Sequence, residues 1–271
     1  MIPKVIHYCW FGSNSLSTKE KNCINSWKKY CPDYEIKEWN ETNFDVNCCN
    51  YVKEAYREKK WAFVSDYARF WILYHEGGLY FDTDVEIINP IDNIVENGPF
   101  MGCEYVDNCA DGLDLGINPG LGIGVRSGLD IYREILEYYD TIHFCIENQV
   151  TIVEIVTRIM KRHGWKGDGK IQSIEEITIY PPEYFCPMDY NTGKLDITSN
   201  TVSIHHYAAS WYTKTDEHIR DISRFCINKF GIIIGKKVAK ILDCPFRFKR
   251  KLEYVGFKET VCFMWKRITK K

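Results

Sequence analysis

The sequence predicts an α/β protein whose central sheet is mostly parallel. Short apolar segments such as residues 2–8 and 79–87 suit buried strands, whereas longer segments such as 147–163 have helical spacing. Because the two kinds of segment alternate along the chain, parallel strands joined by crossover helices are favoured. Ligands of such sheets bind beyond the carboxyl ends of the strands. We therefore expect a site where strands end, at Tyr8-Cys9-Trp10 and at Asp82-Thr83-Asp84.

The remaining elements follow from periodicity and from residues that start or stop helices. Residues 33–39 alternate as a strand does, and Gly77-Gly78 suits the end of a helix whose first turn Ser65 can cap. The pattern predicts strands at 2–8, 33–39, 79–87, 99–105, 120–125, 177–180 and 201–204. It predicts helices at 17–30, 50–60, 61–76, 127–139 and 147–163.

The segment from Gly77 to Val85 contains the strongest candidates for metal-binding residues. Its apolar, β-prone run ends in Asp82 and Asp84, which share a face if strand geometry persists. Two adjacent carboxylates are costly unless a cation or a proton neutralises them. Mg²⁺ or Mn²⁺ bound by such oxygens commonly also holds substrate phosphates.

A second charged pair precedes this segment in the predicted helix over residues 61–76. Asp66 and Arg69 are three residues apart and therefore share a helix face. As a surface ion pair they would contribute less than about 1 kcal/mol to stability. The alternative is a pair beside the metal-binding strand that holds the hydroxyls of a sugar.

These two segments together resemble the signature of the DXD-containing sugar-binding glycosyltransferases, glycosyltransferase family 32. The resemblance rests on Ala62-Phe63-Val64-Ser65-Asp66-Tyr67-Ala68-Arg69 and Gly77-Gly78-Leu79-Tyr80-Phe81-Asp82-Thr83-Asp84. The family includes fungal Golgi mannosyltransferases and bacterial capsular polysaccharide transferases, and glucosylating bacterial toxins share a related core. The start of the chain, the segment Cys23–Glu41 and the late segment Ile204–Trp211 are also similar to the family, so the resemblance covers about residues 1–212.

The resemblance implies a GT-A-type nucleotide-sugar-binding domain and a role for each matching residue. Asp84 would bind the cation, and Asp82 would bind it through water or hold ribose and sugar hydroxyls. Asp66 and Arg69 would contact the donor sugar. Trp10 would stack on the base, as the matching residue does in the related toxins, and Tyr80 would line the nucleotide pocket, although a core tyrosine explains Tyr80 nearly as well.

The late segment adds His205, His206, Ser210 and Trp211. Adjacent residues of a strand face opposite ways, so at most one of the two histidines easily reaches the metal, and the sequence does not say which. By resemblance, Ser210 and Trp211 close over the donor phosphates. Asn118 is a further candidate for a sugar or acceptor contact, although turn chemistry explains Asn118-Pro119-Gly120 equally well.

The resemblance implies a retaining hexosyltransferase that uses a nucleotide sugar. The match at Trp10 favours a UDP-sugar, and GDP-mannose stays open because fungal members use it. We expect a glycan or lipid-linked saccharide as the acceptor, in the synthesis of a surface polysaccharide such as a capsule. No residue stands out as a carboxylate nucleophile for a double displacement. A metal-assisted departure of the leaving group on the front face of the sugar is therefore preferred.

Two other classes of protein share some of these features. A metal-dependent phosphohydrolase also places aspartates after an apolar strand, but its motif has Thr or Val where this chain has Glu86. A non-catalytic carbohydrate-binding protein would have little reason to carry Asp66, Arg69, Asp82 and Asp84 together.

Composition narrows the expected location of the protein. The sequence has no apolar run of about 18 residues and no export signal after Met1, which together predict a cytoplasmic protein. The 12 cysteines include no CxxC pair, so we expect reduced thiols.

Charge is distributed unevenly along the chain. Residues 1–211 carry 19 Lys+Arg against 31 Asp+Glu, whereas residues 212–271 carry 16 against 6. The acidic part disfavours binding to nucleic acid. We expect a catalytic domain over residues 1–212 and a basic, mainly helical appendage over 213–271. Its apolar residues between the charges suit either a small core or an anionic membrane at the inner face of the plasma membrane.

Overall fold

The computed structural model describes residues 1–108, 112–146, 149–208 and 213–255, without the side chains of residues 107, 108, 112, 113 and 253–255. The strands are β1 Val5–Cys9, β2 Glu35–Trp39, β3 Gly78–Tyr80, β4 Val85–Ile87, β5 Phe100–Asn108, β6 Gly112–Ile117, β7 Ile123–Val125, β8 Gln172–Ile174, β9 Ile177–Tyr180 and β10 Ser203–His205. The helices are α1 Thr18–Tyr30, α2 Asn50–Arg57, α3 Trp61–Glu76, α4 Asp92–Glu96, α5 Asp130–Asp140, α6 Ile152–Arg162, α7 Pro182–Phe185, α8 Lys214–Phe230, α9 Ile232–Leu242 and α10 Cys244–Val255.

The described residues form two compact units. Among the described residues, the first comprises 1–188 and 195–208, and the second comprises 189–194 and 213–255. The second unit contains α8, α9 and α10, of which α8 begins with a capping box formed by Thr213 and Asp216. Whether the chain divides functionally at residue 212, as the sequence predicts, stays a prediction.

The first unit is built on an eight-stranded sheet in the order β2-β1-β3-β7-β5-β9-β8, with β6 paired to β5. Strands β2, β1 and β3 are parallel neighbours, and β5 and β9 form another parallel pair. Because β7 is antiparallel to both β3 and β5, these five strands all run in one direction. The predicted α/β class with a mostly parallel sheet is therefore confirmed.

Apolar side chains pack on both faces of this sheet. In β3 the alternation assigns Tyr80 to one buried cluster and Leu79 to the other, which also includes Phe81 just beyond the strand. His7 of β1 is fully buried beside them. Its Nδ1 accepts from the Trp39 indole at 3.0 Å, and its Nε2 lies 3.0 Å from the Gly77 carbonyl oxygen. These bonds fix the neutral imidazole, and burial lowers the pKa of His7 to about 4.

The predicted strand over residues 79–87 is wrong in one respect. The structure breaks it into β3 and β4, and Asp82 and Asp84 lie in a turn between them, closed by a hydrogen bond from Val85 N to the Asp82 carbonyl oxygen at 3.0 Å. The alternating pattern continues through Val85 and Ile87, but β4 leaves the main sheet and pairs antiparallel with β10 in a separate two-stranded sheet.

The signature helix α3 begins a full turn before Ser65. Lys60 is its N-cap, and the Ser65 hydroxyl donates to the Trp61 carbonyl oxygen at 3.1 Å, so the predicted Ser65 cap is wrong. Gly77 ends the helix at φ 69°, a conformation that favours glycine. Within the described residues no helix is long and apolar enough to cross a membrane, and the cysteines are free thiols.

Candidate active site at the end of strand β3

Arg69 joins the helix α3 to the turn that follows β3. Its Nη2 atom lies 2.9 Å from Oδ1 of Asp66 and 3.2 Å from Oδ1 of Asp82. The guanidinium also lies over the Tyr80 ring, 4.9 Å from the ring centre, and the Tyr80 hydroxyl donates to Asp82 Oδ1 at 3.1 Å. The pair that the sequence identified as Asp66 and Arg69 is thus buried and forms a triad with the partly exposed Asp82, and it is not a surface ion pair.

Burial sets the electrostatics of this triad. Burial raises the pKa of Asp66 to about 7, although Arg69 opposes that shift and Asp82 adds to it. Burial alone would lower the pKa of Arg69, but the carboxylates of Asp82 and Asp66 hold it above its usual value. The guanidinium therefore stays charged and fixes the orientation of two carboxylates.

The loop between β6 and β7 supports Asp82 from the other side. The backbone N–H of Asp82 donates to the Gly120 carbonyl oxygen at 3.0 Å. A Cβ atom on Gly120 would lie 2.0 Å from Asp82 Oδ2, so only glycine leaves room for this carboxylate. Asn118 is nine-tenths buried, and its Oδ1 accepts from the Gly120 N–H at 2.8 Å. The structure thus places Asn118 in the support of this loop, as the turn explanation of Asn118-Pro119-Gly120 anticipates.

Asp84 is held by the segment that follows β10. Its Oδ2 accepts from the Ala208 N–H at 2.7 Å, and its carbonyl oxygen accepts from the His206 N–H at 3.0 Å. Nε2 of His205 lies 3.4 Å from Asp84 Oδ1. Burial would raise the pKa of Asp84, but the facing His205 and these hydrogen bonds lower it, so the carboxylate stays ionised.

The two adjacent histidines face different partners. His205 lies opposite Val85 in the β4–β10 pairing and is buried, whereas His206 is half-exposed with Nε2 2.8 Å from Glu86 Oε2. Ligand atoms of Asp82, Asp84 and His205 all lie within 4.8 Å of one another. The structure therefore brings His205 to the two aspartates and does not bring His206 there.

This group fits a divalent cation. Two carboxylates and one imidazole offer the oxygen and nitrogen donors that Mn²⁺ accepts, and Mg²⁺ accepts the oxygen donors. The side chain of Asp82 is 30% exposed, so one face of the group remains open to a ligand.

The other predicted site residues have varied surroundings. Trp10 follows β1, is partly buried against one apolar cluster, and its indole N–H donates to the Asn14 carbonyl oxygen at 2.6 Å. Tyr80 is fully buried beneath Arg69 and orients Asp82. Ser210 and Trp211 lie outside the described residues.

Sequence reasoning missed three residues that surround His205. Glu104, Cys186 and Tyr207 come from β5, from the end of α7 and from the residues after β10. Tyr207 adjoins the histidine pair within the late segment that resembles the family, but the sequence predicted no role for it. Glu104 and Cys186 belong to no motif, because only the fold brings these distant segments together.

Comparison with known proteins supports the interpretation of this region. Residues 17–101 match the family described as the glycosyltransferase sugar-binding region containing the DXD motif. The resemblance predicted from the sequence is therefore confirmed for this part of the chain, which holds Asp66, Arg69, Tyr80, Asp82 and Asp84.

One curated relative is inositol phosphoceramide mannosyltransferase 1 of Schizosaccharomyces pombe. It is 30% identical over 111 residues, which are 37% of this chain and 33% of the relative. The match thus spans about a third of the relative's length.

Two solved structures are similar to this chain. The PaToxG glycosyltransferase is 18% identical with a TM-score of 0.43, over 59% of this chain and 69% of that one. A glycosyltransferase involved in the glycosylation of the major capsid of PBCV-1 is 12% identical with a TM-score of 0.45, over 76% of this chain and 95% of that one.

Proposed function

We propose that this protein is a metal-dependent glycosyltransferase with a GT-A-type catalytic domain over residues 1–212. It moves a hexose or an N-acetylhexosamine from a nucleotide sugar to a glycan or lipid-linked saccharide. The observation that carries this proposal is the position of the Asp82–Asp84–His205 group beside the buried Asp66–Arg69 pair, in a segment that matches a sugar-binding DXD region. A cation site and a polar sugar site then share Asp82.

Asp82, Asp84 and His205 are the residues that would hold Mn²⁺ or Mg²⁺. When bound, the cation supplies positive charge to the donor diphosphate and to the leaving group. Asp84 is fixed for this role by the Ala208 N–H, and Asp82 by Arg69, Tyr80 and the Gly120 carbonyl oxygen. Such fixed carboxylates need little rearrangement to bind a cation, which favours affinity.

Asp66 and Asp82 are the carboxylates best placed to accept hydrogen bonds from sugar hydroxyls. Their side chains are 12% and 30% exposed, whereas that of Arg69 is only 4% exposed. Arg69 therefore acts mainly by orienting both carboxylates. This division of roles refines the sequence-based expectation that Asp66 and Arg69 both touch the sugar.

The donor is a UDP-sugar in this proposal, with Trp10 stacking on the base. The support is that Trp10 lies at the carboxyl end of β1, next to β3, and is only partly buried. GDP-mannose is the competing donor, because the curated relative is named for mannosyl transfer. We propose retention of configuration by front-face departure of the leaving group, in the synthesis of a surface polysaccharide.

Hydrolysis of nucleotide sugars tests this function without knowledge of the acceptor. The protein is incubated with Mn²⁺ and, separately, UDP-glucose, UDP-galactose, UDP-N-acetylglucosamine and GDP-mannose, and release of the nucleoside diphosphate is measured. We expect slow turnover of one UDP-sugar that EDTA abolishes. Turnover of none of these donors, or turnover that EDTA leaves unchanged, would contradict the proposal.

We further propose that the basic unit formed by α8–α10 contacts an anionic membrane at the cytoplasmic face. Apolar side chains of α8 and α9 are strongly exposed, at 62% for Phe225, 72% for Ile233 and 74% for Ile241. The same region of the chain carries the excess of Lys and Arg. Each basic residue near an anionic surface contributes about 1 kcal/mol to binding, and exposed apolar side chains can insert at the interface.

Co-sedimentation with phosphatidylserine vesicles tests this contact. The double variant Ile233→Ser/Ile241→Ser should bind less than the parent protein, and binding should fall as salt rises. Ile171→Ser/Ile197→Ser is the matched control, because these isoleucines are 49% and 52% exposed in the other unit. If the parent protein does not bind the vesicles, or if both double variants lose binding equally, α8–α10 do not form the membrane contact.

A further inference from the structure

A second cluster of metal-binding side chains shares His205 with the Asp82–Asp84 group. Ligand atoms of Glu104, Cys186 and His205 all lie within 4.8 Å of one another. All three residues are buried, with exposures of 8%, 4% and 8%. A carboxylate, a thiol and an imidazole together form a donor set that suits Zn²⁺ and similar soft divalent cations.

Tyr207 connects two members of this cluster. Its hydroxyl donates to Glu104 Oε2 at 3.0 Å and lies 2.9 Å from Cys186 Sγ. Its backbone has φ 50°, in the left-handed region that is uncommon for a bulky residue. Residues held in such conformations are concentrated at functional sites, because the surrounding structure must stabilise the strain.

The two ring nitrogens of His205 differ in their surroundings. Nε2 faces Asp84 Oδ1 at 3.4 Å. Nδ1 is buried and makes no hydrogen bond of standard geometry within the part of the chain that the structure describes, although the Cys186 thiol lies close enough to interact with the ring. An unpaired buried nitrogen is costly, and coordination of a cation would satisfy it.

We propose that Glu104, Cys186 and His205 Nδ1 bind a soft divalent cation such as Zn²⁺, at a site distinct from the Asp82–Asp84 group. On binding, Cys186 loses its thiol proton and the His205 ring loses its Nδ1 proton, both to solvent, so that they coordinate as thiolate and neutral imidazole. Tyr207 stays hydrogen-bonded to Glu104 and orients it, as outer residues of metal sites commonly do.

This site competes with the first one for His205, a consequence that rests on the proposed function. A neutral imidazole has one lone pair and one N–H. When Nδ1 coordinates the soft cation, Nε2 carries the proton and donates to Asp84, so it cannot bind the catalytic cation. Zn²⁺ should therefore inhibit Mn²⁺-dependent turnover, and the inhibition should depend on Cys186.

Cobalt spectroscopy tests the site directly. The full chain with Cys48→Ser/Cys49→Ser, which removes the adjacent pair of accessible thiols, is treated with EDTA, desalted and titrated with Co²⁺. We expect a thiolate-to-cobalt charge-transfer band in the near ultraviolet. Adding Cys186→Ser should abolish the band, and Glu104→Gln should weaken Co²⁺ binding by about tenfold or more.

Cys31→Ser in the same background is the matched control, because Cys31 is as buried as Cys186 and belongs to no metal-binding group of the described residues. It should leave the band unchanged. Thermal unfolding of each variant verifies that it is folded. A band that persists in the Cys186→Ser protein, or no band in the background protein, would overturn the proposed site.

Inhibition of turnover tests the sharing of His205 separately. Zn²⁺ should inhibit the background protein, and at least about tenfold more Zn²⁺ should be needed for the Cys186→Ser protein. Equal inhibition of the background protein and the Cys186→Ser protein by Zn²⁺ would refute the hypothesis that the two cation sites share His205. If no nucleotide sugar is turned over, the proposed function fails while the cobalt result still decides whether the site exists.

Discussion

Arg69 is the residue on which the two halves of the candidate site depend. One guanidinium nitrogen contacts Asp66 on α3 and Asp82 in the turn after β3. The guanidinium also lies over the Tyr80 ring and donates from Nε to the Ser65 carbonyl oxygen at 3.2 Å, which the single ammonium of a lysine cannot do at the same time. Loss of Asp66 and loss of Arg69 should therefore affect the site differently.

We expect Asp66→Asn to reduce donor turnover by about a hundredfold while Mn²⁺-dependent UDP affinity changes by less than about threefold, since a charged hydrogen bond contributes about 1.5–3 kcal/mol. Arg69→Lys should reduce both, because Asp82 loses its orientation. For each variant, turnover assays measure the loss of rate and calorimetry measures the loss of Mn²⁺-dependent UDP affinity. If Asp66→Asn weakens UDP binding as much as turnover, Asp66 does not act on the sugar.

His205 and His206 form a natural pair of matched variants. Asn retains a polar group but lacks the ring nitrogen that faces Asp84, so His205→Asn should raise the Mn²⁺ concentration needed for half-maximal turnover by about tenfold or more. His206→Asn loses only its half-exposed contact with Glu86 and should change that concentration by less than about twofold. Equal effects of the two variants would contradict the assignment of His205.

The sequence predicted the aspartate pair but could not choose between the histidines. The spacing of Asp82 and Asp84 is local, and two carboxylates so close together are costly unless a cation or a proton neutralises them. Which histidine faces them depends on the register in which β10 pairs with β4, more than a hundred residues away in sequence. Glu104 and Cys186 likewise reach His205 only through long-range packing.

At the scale of elements, the loop between β6 and β7 shapes the space for Asp82. Gly120→Ala would place a Cβ atom 2.0 Å from Asp82 Oδ2, so the carboxylate must move. We expect this variant to weaken Mn²⁺ binding by about tenfold or more, as measured by calorimetry, and to lose turnover accordingly.

Gly116→Ala in β6 is the control for that change. Its added Cβ would meet the side chains of Val153 and Val106 and not the site, so it should lower stability without weakening Mn²⁺ binding. If Gly120→Ala binds Mn²⁺ as the parent protein does, the loop does not determine the position of Asp82.

Helices were predicted better than the break between β3 and β4. The sequence predicts residues 61–76 as the helix α3, and Ser17 caps α1 close to the predicted start of that helix. Helical periodicity and capping are local, so the sequence predicts them. The sequence does not predict the turn at Asp82-Thr83-Asp84, because the alternating pattern of residues continues into β4. In the structure β4 leaves the main sheet and pairs with β10.

At the scale of the whole molecule, His7 links stability to pH. Its pKa is about 4 in the folded protein against an ordinary value of 6.5, because burial disfavours the charged ring. Between these values the unfolded chain binds the proton and the folded chain does not. The contribution of neutral His7 to the free energy of unfolding is therefore fully present above pH 6.5, and it is lost as the pH falls toward 4.

We expect the free energy of unfolding to fall by up to about 1.4 kcal/mol per pH unit across this range through His7. His7→Gln retains a donor and an acceptor but does not titrate, so its stability should depend less steeply on pH there. Urea unfolding of both proteins from pH 7 to pH 4 measures the difference. Parallel pH profiles would show that His7 does not take up the proton on unfolding.

The most direct test of the central claim is whether Asp84 makes UDP binding depend on a divalent cation. Calorimetry compares UDP binding with Mn²⁺ and with EDTA for the parent protein, Asp84→Asn and the control Glu86→Gln, whose carboxylate pairs with His206 and not with the aspartate group. We predict binding that requires Mn²⁺ in the parent and in Glu86→Gln, and a loss of about a hundredfold in Asp84→Asn, which should unfold at a similar temperature. Equal UDP affinity with Mn²⁺ and with EDTA, or undiminished affinity in Asp84→Asn, would contradict the account.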